Sequence, residues 1–81
     1  MKKELKVLIN TIPKVKNFVN ITSKFDCDID VLSGRYRLDG KSIMALFSMN
    51  LLEPMIVKIE SDNKEEIRSF NEVMEEFKWE K

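Results

Sequence analysis

Near the start of the chain Leu5, Val7 and Ile9 alternate with Glu4, Lys6 and Leu8, so residues 4–9 predict a strand with one strongly apolar face. Asn10-Thr11-Ile12-Pro13 then reads as a helix start. Asn10 or Thr11 can cap free amides, and proline is tolerated in the first turn. Val15, Phe18, Val19, Thr22 and Phe25 recur at intervals of three and four, which predicts an amphipathic helix ending near Phe25. Cys27, Ile29 and Val31 alternate with Asp28 and Asp30 as a second strand. Ser33-Gly34 follows as a two-residue turn, and Tyr36 and Leu38 alternate with Arg35 and Arg37 in a third strand. In that register Leu32 pairs Arg35, Val31 faces Tyr36, Ile29 faces Leu38, and Asp30 faces Arg37.

Asp39-Gly40-Lys41-Ser42 is a second helix start, with Ser42 as N-cap, and residues 43–50 predict a short helix. That helix is apolar on nearly every side, more than one sheet-facing stripe requires. Leu46 and Met49 are expected to face inward. Met55, Val57 and Ile59 alternate with Ile56, Lys58 and Glu60 in a fourth strand after the Glu53-Pro54 turn. Asp62-Asn63-Lys64-Glu65 carries a capping pattern, and Ile67, Phe70, Met74 and Phe77 mark a last helix, with Val73 at its edge and Trp79 closing the chain. The order is β-α-β-β-α-β-α. With an all-polar outer sheet face, it implies a two-layer α+β sandwich with the helices on one side.

Eighty-one residues allow a single domain, 1–81, with a small core. Fourteen basic residues balance 14 acidic ones, which argues against nucleic acid as a partner. No apolar run reaches membrane-span length and no signal peptide is recognisable, so membrane insertion is not expected and a cytoplasmic setting is. The single cysteine excludes an internal disulfide and a four-cysteine metal site. Neither a metal nor a cofactor is expected. Histidine is absent, which removes every mechanism that needs an imidazole base, phosphate acceptor or ligand. Cys27 lies between Asp26 and Asp28, whose carboxylates disfavour a thiolate, so it reads as a structural residue.

Val19-Asn20-Ile21-Thr22-Ser23-Lys24-Phe25-Asp26-Cys27-Asp28-Ile29 resembles the helix-to-strand passage of HPr, the phosphocarrier of the bacterial sugar phosphotransferase system. Lys41-Ser42-Ile43-Met44-Ala45-Leu46-Phe47-Ser48-Met49 resembles that family's signature Lys-Ser-Ile-Met-Gly-Val-Met-Ser-Leu, with no gap between the two stretches. The resemblance implies an open-faced sandwich, a four-stranded antiparallel sheet carrying three helices on one face. It also implies a protein that is not an enzyme and works through protein partners. At the first helix start the family pattern His-Ala-Arg-Pro-Ala is replaced by Thr11-Ile12-Pro13-Lys14-Val15. Thr11 thus stands at the position of the histidine that takes phosphate from phosphoenolpyruvate through enzyme I. A threonine phosphate is a stable ester, so the His-dependent relay is expected to be absent. Glu53-Pro54 likewise departs from the family's Lys-Gly.

The family's regulatory serine corresponds to Ser42, and its docking surface to Ile43, Met44 and Phe47. The combination resembles the catabolite-repression HPr paralogue of some bacilli, which lacks the histidine, keeps the serine and acts through a transcriptional regulator. The partners implied are a phosphotransferase-system component, an HPr-type serine kinase or such a regulator. Thr11, Lys14 and Lys16 form a candidate anion site at the first helix start, a remnant of phosphate handling. Two readings compete with this one: a small acylphosphatase-like enzyme on an α+β sandwich, and a paralogue with no retained partner. The enzyme reading lacks a Gly-rich phosphate loop and a convergent acid/base pair.

Overall fold

The computed structural model describes residues 1–79. The elements run β1 (Lys2–Val7), α1 (Ile12–Thr22), β2 (Ile29–Ser33), β3 (Tyr36–Asp39), α2 (Ile43–Phe47), β4 (Met55–Glu60) and α3 (Lys64–Val73). One turn of 3-10 helix, Met74–Glu76, extends α3. The strands form one antiparallel sheet in the order β1-β4-β2-β3. Leu5, Val57, Val31 and Leu38 are paired neighbours in one row across all four strands. Period-two patterning puts this row and its neighbours, Val7–Met55 and Ile29–Ile59, on a common face. Phe18 of α1, Leu46 of α2 and Phe70 of α3 are buried with that face in a single core. Phe18 meets Phe77 edge-on with ring centroids 5.5 Å apart, which ties the C-terminal turn to α1.

The helices begin where the sequence predicts. Thr11 caps α1, accepting from Lys14 N at 3.2 Å, with Pro13 in the first turn. Ser42 caps α2, accepting from Ala45 N at 3.3 Å. Asn63 caps α3, accepting from Glu65 N and Glu66 N.

Four local expectations are corrected. The hairpin pairs Ser33 with Tyr36, Leu32 with Arg37, Val31 with Leu38 and Asp30 with Asp39, two residues away from the predicted register. Gly34 is the first loop residue, with φ +59°, the place where a type II′ turn needs glycine. A two-residue slip leaves every side chain on its predicted face, so alternation alone could not detect it. Arg37 still reaches Asp30 at 2.7 Å, now along the diagonal. Secondly, Phe25 and Cys27 lie outside the regular elements. The chain leaves α1 through i→i−3 bonds from Lys24 N to Ile21 O and Phe25 N to Thr22 O. Thirdly, α2 stops at Phe47 rather than Asn50. Ser48 Oγ donates back to Ala45 O, and Asn50 Oδ1 accepts from Leu52 N, so side chains replace the next helical turn. Fourthly, the outer sheet face is not all polar, because Leu32 and Ile56 pair on it, both half-buried.

One junction sets the placement of α2. Gly40 N donates to Ile29 O at 2.7 Å, and Thr22 Oγ1 donates to Gly40 O at 2.8 Å in a buried position. A Cβ on Gly40 would lie 2.8 Å from Ile29 O and 2.9 Å from Ile29 Cγ2. Gly40→Ala is therefore expected to destabilise the fold by about 1–3 kcal/mol. Thr22→Val, which orphans the Gly40 carbonyl, should cost a similar amount. Urea denaturation of both variants measures this, and wild-type stability in Gly40→Ala would show that the two backbones separate freely.

Candidate functional site

Two helix N-termini carry the residues that the sequence singles out. Thr11, Ile12, Lys14 and Lys16 are all exposed at the start of α1. The Thr11 hydroxyl is engaged as the cap, and Lys14 Nζ donates to Asn10 Oδ1 at 3.3 Å. Thr11 and Lys14 are thus brought together, while Lys16, two positions further on, faces another side of the helix. Ser42 stands at the other end of α1, because Thr22, the last residue of α1, bonds Gly40 two positions before Ser42. The 11 residues of α1 span roughly 16 Å, so Thr11 and Ser42 do not form one site.

The loop before Ser42 is heavily bonded. Asp39 Oδ1 accepts from Lys41 N at 2.9 Å, and Asp39 O accepts from Ser42 N at 3.1 Å. Lys41 Nζ donates to Phe25 O at 2.5 Å. The Lys41 ammonium therefore ties the loop to the turn that follows α1 and does not extend over Ser42. Ser42 itself is half-buried.

On α2 the apolar residues divide as five helical positions must. Leu46 is fully buried, Ile43 packs half-buried against the core, and Met44 and Phe47 are 78% and 39% exposed. Met49 packs inward beyond the helix. Leu52, 77% exposed in the following turn, and Ile12, 59% exposed at the first position of α1, add apolar surface that periodicity did not single out. Two adjacent leucines, Leu51 and Leu52, were the available signal, since a turn buries only one of such a pair.

A second polar cluster joins the residues before β2 to α3. Glu66 Oε1 accepts from Ser61 Oγ at 2.7 Å, and its Oε2 accepts from Asp26 N at 3.2 Å. The hydrogen bond from Ser61 is the main cause that holds the Glu66 carboxyl below its ordinary pKa. The Cys27 thiol also bonds Glu66, and burial, followed by that contact, pushes its pKa up to about 11. The raised thiol owes its shift to burial and to Glu66 from α3, and not to the flanking aspartates. No grouping of three or more potential metal ligands occurs among the described residues. Arg37, one of the arginines an acylphosphatase-like reading would use, is held by Asp30.

The family model described as "PTS HPr component phosphorylation site" matches residues 14–78. The crystal structure of HPr-C-His from Thermoanaerobacter tengcongensis is similar with a TM-score of 0.67 and 27% identity, covering 90% of this chain and 91% of that one. A search of curated proteins gave no match. The family match begins three residues after Thr11.

Two expectations follow from the Glu66 cluster. A lowered folded pKa contributes stability in full above the ordinary value of 4.5 and loses it as pH falls through the folded value. Glu66→Gln should therefore flatten the acid limb of a stability–pH curve from denaturant titrations, and an unchanged limb would place the acid sensitivity elsewhere. Alkylation of Cys27 by iodoacetamide should reach half its limiting rate at about pH 11 instead of 9.0.

Proposed function

Because this chain belongs to the PTS HPr family, we propose that it is a member working by protein contact, without a histidine phosphorelay, and switched by phosphorylation of Ser42. HPr-family proteins are phosphocarriers of the sugar phosphotransferase system, not enzymes, and they interact with its proteins. A carrier needs a phosphoryl bond that is easily passed on, which a phosphoimidazole supplies. This chain contains no histidine, and Thr11 offers only an alcohol. An ester at Thr11 would keep its phosphate, so the relay step has no chemical basis here.

The observation that carries the reading is the exposure of Met44 and Phe47 one turn from the Ser42 cap. Large apolar side chains left in water on a small domain mark a contact surface. A kinase would transfer the terminal phosphoryl group of ATP to Ser42 Oγ, adding nearly two negative charges beside that surface. The apolar patch would then carry an acidic rim, which changes the partners it suits. Ile43, half-buried against the core, anchors the start of the patch. The partners are a phosphotransferase-system protein, an HPr-type serine kinase or a transcriptional regulator, in a cytoplasmic setting. No helix among the described residues is long and apolar enough to cross a membrane. The anion-site reading of Thr11, Lys14 and Lys16 is weakened by the engagement of Lys14 with Asn10.

Intact mass after incubation tests the proposal. Phosphoenolpyruvate with enzyme I should add nothing. ATP with an HPr serine kinase should add one phosphate that Ser42→Ala abolishes. Phosphate acquired from enzyme I would overturn the loss of carrier chemistry, and no phosphate from the kinase would remove the switch.

Surface and core substitutions should separate cleanly. Met44→Asp is expected to change stability by only about 0.5 kcal/mol while weakening kinase recognition. Leu46→Ala should cost about 2–5 kcal/mol through a core cavity. Thermal denaturation and phosphorylation rates on the same variants distinguish the two roles.

A further inference from the structure

The two edges of the sheet are treated differently. Beside β1 the chain returns after α3: Val7 bridges Lys78, Leu8 N donates to Phe77 O, and Trp79 N donates to Lys6 O. Lys6 Nζ lies 4.6 Å from the Trp79 ring centroid and helps to hold this cover. At β3 no strand follows among the described residues. The phase of its backbone is known. Gly40 N donates inward to Ile29 O, and in an antiparallel ladder inward and outward residues alternate, so Tyr36 and Leu38 also face β2. Arg37 consequently presents its N–H and C=O outward and Asp39 its N–H, while the Asp39 C=O already accepts from Ser42 N at 3.1 Å.

We infer that this edge pairs antiparallel with the β3 edge of a second copy, about a two-fold axis at Leu38, to give a continuous eight-stranded sheet. In that register Arg37 stands opposite the second copy's Asp39, and Asp39 opposite its Arg37. Both are outward-facing residues, as the hydrogen-bonded pairs of an antiparallel ladder must be. Each pair therefore gains one ion pair and a main-chain bond from the Asp39 N–H to the Arg37 C=O, and the Arg37 N–H bonds the Asp39 carbonyl by sharing it with Ser42 N. Leu38 meets its own symmetry mate on the helix side of the sheet. Tyr36, 65% exposed, runs opposite Gly40, which carries no side chain.

The side chains are compatible with this. Arg37 uses Nε and one terminal nitrogen on Asp30, which leaves other guanidinium donors for the incoming carboxylate. Asp39 uses Oδ1 on Lys41 N, which leaves Oδ2. Shifting the axis to Arg37 would set two arginines opposite each other, and shifting the register by one residue would invert the faces. Only the Leu38-centred register is self-complementary in both charge and face. The chain has no net charge, so two copies approach without long-range repulsion. A four-residue edge buries little area, so the pairing is weak and reversible.

Sedimentation of the full chain from micromolar to millimolar concentration tests the inference, with charge swaps as controls. Wild type should pass from monomer to dimer, and added salt should weaken the dimer. Arg37→Asp sets two carboxylates against each other in each pair, and Asp39→Arg sets two guanidinium groups together, so each variant alone should self-associate at least about tenfold more weakly. An equimolar mixture of the two restores opposite charges across the interface and should dimerise. Hydrogen exchange on wild type gives a reading that does not depend on the variants folding. The Arg37 and Asp39 amides should gain protection with concentration, while those of Tyr36 and Leu38 stay protected throughout. A wild-type chain that remains monomeric, swaps without effect, a mixture that stays monomeric, or concentration-independent exchange at Arg37 and Asp39 would each overturn it.

Discussion

Gly40 brings two backbones together more closely than any side chain would permit, and the candidate site takes its position from that approach. Its amide bonds Ile29 O at the start of β2, and its carbonyl accepts the Thr22 hydroxyl at the end of α1. Three elements are thus joined at one residue. Lys41 extends the junction to Phe25 O, and Asp39 closes the loop onto the amides of Lys41 and Ser42. The α2 cap therefore starts at a fixed point, and the five-residue helix can rotate only as far as the burial of Leu46 allows. Met44 and Phe47 face outward as a consequence.

This arrangement keeps the two chemically interesting helix starts apart. Thr11 begins α1 and Ser42 lies beyond its end, so a charge added at Ser42 is local to α2 and to the loop from Asp39. The proposed switch and the proposed loss of the histidine relay are in this sense independent. One concerns a hydroxyl beside an apolar surface. The other concerns which functional group stands at the first helix start. The Glu66 cluster forms a further link, from α3 to the chain entering β2, and Lys41 touches the same passage at Phe25.

Much of the fold was legible in the residues. Thr11, Ser42 and Asn63 are caps because short polar side chains satisfy free amides at helix starts, a local property. The faces of all four strands follow from alternation. What alternation could not fix was the hairpin register, since pairing Val31 with Tyr36 or with Leu38 leaves the faces unchanged. Gly34, the one residue with positive φ among those described, decided it from inside the turn. The end of α2 was similarly hidden, because the apolar run through Met49 continues past the point where Ser48 and Asn50 bond locally. At the site, the sequence singled out Ser42, Met44 and Phe47 but missed Leu52, and it attributed the Cys27 environment to neighbours in sequence when Glu66 supplies it across space.

The sequence by itself determined the order of elements, their core-facing residues and the residue types that are missing, because each depends on residues close together along the chain or on a simple count. The count of histidines, zero, reads the same whatever the fold. Only the tertiary structure decided which apolar residues of α2 remain in water, that Lys41 is committed to Phe25, and that the chain after α3 covers β1 while no strand follows β3 among the described residues. Those outcomes depend on close approaches between residues far apart in sequence, such as Thr22 with Gly40 and Lys6 with Trp79. A hydrogen bond or a steric contact acts over a few ångströms of space, and no local pattern states which distant residue will occupy that space.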